Sequence, residues 1–193
     1  MYTLEVLNIT KYIKYPIKDL ELLGRGTQGS VYKIDEHKCI KIFKKTNACR
    51  DELHSMLISQ IDSHFPSLYE YGDDYIVREY IHGFTLDSYI TENSFTEEIA
   101  NKIIELYKAM YFVGFKRLDF ALFHAFLVFD NQSNAFNIML IDTAKAMKKN
   151  YSYPSILINS LNKLNCSNQF LDFVRTNYPQ IYNKWSMEKH ILH

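Results

Sequence analysis

The sequence predicts an α+β chain in two lobes, a small antiparallel sheet followed by a reduced helical part. Three observations point there. The N-terminal third carries short β-branched and aromatic runs around a glycine-rich turn; the middle and C-terminal parts carry apolar residues at helical spacing; and the 193 residues suffice for one compact domain or two small lobes sharing a cleft. Lys+Arg and Asp+Glu both number 22, so no overall basicity points to nucleic acid. The three cysteines, Cys39, Cys49 and Cys166, form no C-x-x-C pair, which argues against a disulfide framework or a zinc site and for a cytoplasmic setting. The N-terminus lacks the basic start and apolar core of a signal peptide, and no apolar run is long enough to span a bilayer.

In chain order, Glu21 to Leu23 reads as a strand entering "GRGTQG" and Ser30 to Ile34 as the strand leaving it. "KCIKIFKK" follows as a third strand after a polar turn. Gly24, Gly26 and Gly29 have G-x-G-x-x-G spacing, but the last glycine leads into a strand. A dinucleotide fold needs a helix there, and a Walker loop needs Lys-Ser/Thr directly after its last glycine. "NACRDELHSMLISQI" places Leu53, Met56, Leu57 and Ile61 at helical spacing and predicts an apolar face from them. Two short strands are expected around Gly72-Asp73-Asp74, and helices over "GFTLDSYI" and "SFTEEIANKIIELYKAMYFVG". Ser94 or Thr96 ahead of Glu97 and Glu98 gives the second of these a capping signature. "FLVFD" and "FNIMLID" read as strands around the turn "NQSNA". Helices are expected over "SILINSLNKL" and "NQFLDFVRTNY", with a short piece ending near Trp185. Phe170, Phe173, Tyr178, Tyr182 and Trp185 are the expected aromatic core of this part.

Several motifs in order resemble the protein-kinase-like family, with the trimming of RIO-type or small bacterial serine/threonine kinase-like proteins. The glycine loop with Val31 matches G-x-G-x-x-G-x-V, "CIK" the lysine motif, "VREYIHG" the hinge, "RLD" the H-R-D motif and "LIDTA" the D-F-G region. The resemblance implies a sheet N-lobe over 21–79, preceded by an N-terminal extension over 1–20 packing on it, and a reduced helical C-lobe over 80–193. It implies ATP-dependent phosphoryl transfer, with Mg²⁺ or Mn²⁺, to Ser or Thr of a protein substrate. Lys41 would offset phosphate charge, and Glu52 would hold its ammonium, with Asp51 a rival for that place. Asp119 would be the base and Asp142 a metal ligand. Val31, Cys39 and Phe126 would sandwich the adenine, and Glu79, Tyr80 and Ile81 would supply hinge backbone contacts.

The chain departs from this family at specific positions. "DFALFH" puts His124 where the family has a metal-binding Asn. Three readings of His124 stand: a metal ligand favouring Mn²⁺, a hydrogen-bonding partner of phosphate or of the Asp119 loop, or the mark of a chain that does not catalyse. "DTA" replaces D-F-G, and no A-P-E follows, so no extended phosphorylation-controlled loop is expected. Arg78 stands before the hinge glutamate, where it either narrows the back of the adenine pocket or turns outward. A partner-binding pseudokinase and a small-molecule kinase are the alternative functions.

Overall fold

The computed structural model describes residues 15–130, 135–148, 150 and 152–191. The segment 1–14 and most of the turn expected at 131–135 lie outside them. The chain forms two compact units, one of Met1–Arg50 with Ser67–Tyr80 and one of Asp51–Pro66 with Ile81–His193.

The first unit is a five-stranded antiparallel sheet of β1 (Glu21–Arg25), β2 (Gly29–Lys33), β3 (Lys38–Phe43), β4 (Leu68–Tyr71) and β5 (Tyr75–Glu79), in the order β1-β2-β3-β5-β4. The strands run further into the glycine loop than the sequence suggested, because Gly26 N–H bonds to Gly29 C=O at 2.8 Å and leaves only 26–28 outside the ladder. Side chains alternate along a strand and directly paired residues share a face. Ile40 pairs with Val77 and Ile42 with Tyr75, and these four cluster with Ile17 in an apolar layer. Tyr15 and Leu20 also pack on that layer, so the described end of the N-terminal extension lies on this sheet. The opposite face carries Val31 paired with Lys41, Lys41 with Ile76, and Cys39 with Arg78.

The chain passes from the first unit into the second within α1 (Thr46–Ser59). Its buried positions are Cys49, Glu52, Ser55, Met56 and Ser59, whereas Leu57 and Ile61 are 48% and 69% exposed. The apolar face read from the sequence is therefore corrected: only Met56 of its members is buried. The reason is polar pairing, since the buried Ser55 hydroxyl is 2.8 Å from Thr143 Oγ1 and donates within 2.9 Å of Thr143 C=O. A buried hydroxyl with partners outweighs two leucine-sized side chains left in water.

The second unit holds a three-stranded sheet of β6 (Phe84–Thr85), β7 (Ala125–Phe129) and β8 (Phe136–Leu140), in that order. Its helices after α1 are α2 (Leu86–Glu92), α3 (Glu97–Phe112), α4 (Ser155–Lys163), α5 (Ser167–Asn177) and α6 (Pro179–Ile191). Thr96, not Ser94, caps α3, with its side chain accepting from Ile99 N–H. The α3 face of Ile99, Ile103, Leu106, Tyr107 and Met110 is buried against Leu127, Ile138, Leu140, Phe170 and Trp185 in one core cluster. Phe170 and Trp185 are buried, and Phe173, Tyr178 and Tyr182 pack against them, as the sequence led one to expect. The last helix is longer than the short piece read from sequence and has Trp185 at its middle, where Nε1–H donates to Tyr107 Oη at 3.0 Å.

The glycines of the first loop separate cleanly in this fold. A Cβ on Gly29 would lie 1.9 Å from Ile42 C=O, whereas one on Gly24 meets nothing within 4 Å. Gly29→Ala should lower unfolding stability by about 2–3 kcal/mol in denaturant titration, and Gly24→Ala by less than about 1 kcal/mol.

Candidate functional site

On the first unit, strand register gathers Val31, Cys39 and Lys41 on the face opposite the apolar layer. Lys41 is 8% exposed, and its ammonium lies 4.9 Å from the centroid of the Phe43 ring. Gly24 and Gly26 are exposed at the rim of the same hairpin, while Gly29 is buried under β3. At the far end of β5, Glu79 N–H bonds to Ser67 C=O and Tyr80 N–H to His37 C=O, both at 2.9 Å. Glu79 C=O receives Arg78 Nη1–H at 3.2 Å and Cys39 Sγ–H at 3.6 Å. Burial pushes the Cys39 thiol up, against the opposing pull of the Arg78 guanidinium. Arg78 is 5% exposed, so it does not turn outward.

On the second unit, the end of the 3₁₀ turn Leu122–His124 and the residues after β8 come together. Ile141 N–H bonds to His124 C=O at 2.9 Å. His124 Nε2 then lies 3.7 Å from Asp142 Oδ2, with both side chains about a third exposed. The Phe123 ring packs edge-on against the imidazole at 4.2 Å between centroids. Asp142 Oδ1 accepts from Ala144 N–H at 3.1 Å, which fixes the carboxylate over its own turn. Two neighbouring donors each about 2.1 Å from an octahedral ion stand about 3.0 Å apart, so the 3.7 Å gap would have to close somewhat for the pair to share one ion. Among the described residues no group of three or more His, Cys, Asp or Glu forms such a site. Water and phosphate oxygens would complete the shell. Phe126 is half-buried on β7, Ile81 is buried, and Glu52 is 1% exposed on α1.

Asp119 stands in a different arrangement. Its carboxylate accepts from Ile156 N–H at 3.0 Å, Leu157 N–H at 3.1 Å and Ser155 Oγ–H at 3.3 Å, with Arg117 Nη2 at 3.7 Å. The side chain is 2% exposed. It caps the first turn of α4, whose preceding residue Pro154 offers no side-chain cap. Burial pushes the Asp119 carboxyl up, and the N–H groups of Ile156 and Leu157, Arg117 and Ser155 pull it back.

The motifs alone did not reveal Ser55 and Thr143. Thr143 occupies the Phe place of D-F-G, and Ser55 lies one helical turn after Glu52, so a hydroxyl pair was the readable signal. Both are buried, and together they tie α1 to the residue that follows Asp142.

No family model matches the sequence, and no curated protein matches it. Among solved structures, the PknI kinase domain of Mycobacterium tuberculosis is similar to this chain at 15% identity and a TM-score of 0.48, over 69% of this chain and 60% of that one. A point variant of that domain gives a TM-score of 0.49 with the same identity and coverage. The streptomycin–ATP–APH(2")-IIa ternary complex is similar at 18% identity and a TM-score of 0.39, over 57% of this chain and 40% of that one. The chain spans about three fifths of the PknI kinase domain's length, and at these levels the likeness carries no argument about fold or activity.

The polar contacts of the second unit make separable predictions. Asp119→Ala should cost about 1–2 kcal/mol of stability through loss of the α4 cap, read by thermal or urea unfolding. Thr143→Val should cost about 1–2 kcal/mol by leaving Ser55 short of a partner, and Thr143→Ser should recover most of it.

Proposed function

We propose that the chain transfers the terminal phosphoryl group of a nucleoside triphosphate, ATP in the first instance, to a Ser or Thr hydroxyl of a protein substrate. The observation that carries this reading is Lys41. A lysine is rarely held 8% exposed on a central strand, and this one shares its sheet face with Val31 and Cys39, beside the glycine hairpin. That placement suits an ammonium that offsets phosphate charge beneath a backbone able to approach closely at Gly24 and Gly26. Glu52 and Ile81 keep the roles that the family resemblance gives them.

Asp142 and His124 are proposed to hold the divalent ion. When bound, it supplies charge stabilisation at the phosphate oxygens. An imidazole in place of an amide oxygen biases the pair away from Mg²⁺ and towards Mn²⁺. The acceptor hydroxyl proton passes to Asp119, whose carboxyl is pushed up by burial in the direction a base needs. The cytoplasmic assignment rests on the cysteines, all three of which are buried as free thiols. Among the described residues no helix is long and apolar enough to cross a membrane.

A second reading has its own support. The Asp119 carboxylate is engaged by the α4 N-terminus, which favours a structural role there and a nucleotide-binding module without turnover. Radiolabel transfer separates the two. Loss in both Asp119→Asn and Asp142→Asn from an active wild type supports a base at Asp119; no transfer by the wild type supports the binding module, and retention in Asp119→Asn alone leaves Asp119 only its cap.

Nucleotide binding is testable by thermal unfolding. ATP at millimolar concentration with Mn²⁺ should raise the midpoint, and Lys41→Met and Asp142→Asn should each abolish most of the shift. No shift with either Mg²⁺ or Mn²⁺ overturns the proposal. His124→Asn should move the metal preference towards Mg²⁺; unchanged preference removes His124 from the metal shell.

A further inference from the structure

The second unit carries a groove between α3 and α6 that the phosphoryl-transfer reading does not use. Its volume is about 330 Å³, and it is lined by Tyr107, Lys108 and Tyr111 of α3 and Gln180, Ile181 and Lys184 of α6. The floor is fixed in place. Tyr107 is buried, and its hydroxyl accepts from Trp185 Nε1–H and donates to Ser152 C=O, both at 3.0 Å. Apolar side chains continue past the groove into water. Tyr111 is 67% exposed, Phe112 beside it in the chain 68%, and Met187, three residues after Lys184 on α6, 69%. Aromatic residues and methionine are the types that partner-binding surfaces concentrate.

The charges at this groove have one sign. Lys108 and Lys184 stand on opposite walls, and no carboxylate lines the space between them. Neither lysine makes an ion pair among the described residues. Each ammonium lies over a ring instead, Lys108 at 4.2 Å from the Tyr178 centroid and Lys184 at 5.6 Å from the Tyr111 centroid. The nearby acids are engaged elsewhere. Glu105 pairs with Lys102 at 2.8 Å, Asp172 with Arg175 at 2.6 Å, and the Glu188 carboxylate accepts from Ser152 and Tyr153 N–H. A ring positions an ammonium without neutralising it. Two uncompensated positive charges therefore flank an apolar trough, in a chain whose net charge is zero.

We propose that this groove is a docking site for an acidic segment of a partner protein. An aromatic or branched side chain of that segment seats against Tyr107 and Ile181, and carboxylates on either side of it pair with Lys108 and Lys184. The exposed Tyr111, Phe112 and Met187 favour a polypeptide over a small organic anion, because a ligand confined to the groove leaves those side chains in water. The docking site uses none of the residues of the proposed nucleotide site.

Selection of a displayed random-peptide library on the full chain, followed by fluorescence polarisation with the synthetic winning peptides, tests this. The winners should carry an aromatic or branched residue flanked by Asp or Glu. The double variant Lys108→Gln with Lys184→Gln should bind them at least about tenfold more weakly, and Tyr111→Ser should weaken them as well. Both lysines are exposed, so the double variant should keep the wild-type thermal midpoint. Raising salt from about 0.05 M to about 0.5 M should weaken wild-type binding. A library that yields no peptide sensitive to the double variant, or winners that are basic or lack an apolar residue, overturns the inference. Binding of naphthoate that the double variant loses, without such a peptide, overturns it in favour of a small organic anion. A concentration-dependent dimer that the double variant abolishes overturns it in favour of a second copy of this chain.

Discussion

The register of β2, β3 and β5 is the constraint on which the rest depends. With Ile40 opposite Val77 and Ile42 opposite Tyr75, the alternation sends the apolar side chains to one face. The same alternation sends Cys39, Lys41 and Arg78 to the other. A slip of one residue would bury the lysine ammonium in the apolar layer and expose Ile40 and Ile42, so hydrophobic burial itself enforces the placement of the charged groups. Gly29 is part of this lock, because only a residue without Cβ lets β2 lie so close to Ile42. The glycine motif thus serves two ends. Its last member closes the sheet, and its first two leave an open rim.

The second unit reaches its order by polar contacts set into an apolar core. Ser55 and Thr143 join α1 to the turn that carries Asp142. Ile141 N–H joins that turn to His124, and the Asp119 carboxylate joins the "RLD" loop to α4. A buried hydroxyl pair and a carboxylate on a helix N-terminus give directional attachment from a handful of atoms.

Much of this was legible in the sequence. The short β-branched and aromatic runs around polar turns marked the strands, and the α3 pattern of Ile99, Ile103, Leu106 and Met110 marked the central helix with its buried face. The Thr96 cap was visible as a short polar residue ahead of two glutamates. The face of α1 was not legible. Leu53, Leu57 and Ile61 made an apolar stripe, yet Ser55 turns inward because its partner Thr143 lies 88 residues away in sequence. Which helix Asp119 caps was hidden for the same reason: Ile156 and Leu157 carry no local mark of needing an acceptor.

Production of nucleoside diphosphate by the purified chain tests the central claim most directly, with wild type and Asp142→Asn compared under Mn²⁺ and Mg²⁺ with ATP and with GTP. A phosphotransferase predicts metal-dependent turnover that falls at least about a hundredfold in Asp142→Asn. Equal rates in the two proteins, or no turnover with either nucleotide and either metal, would contradict it.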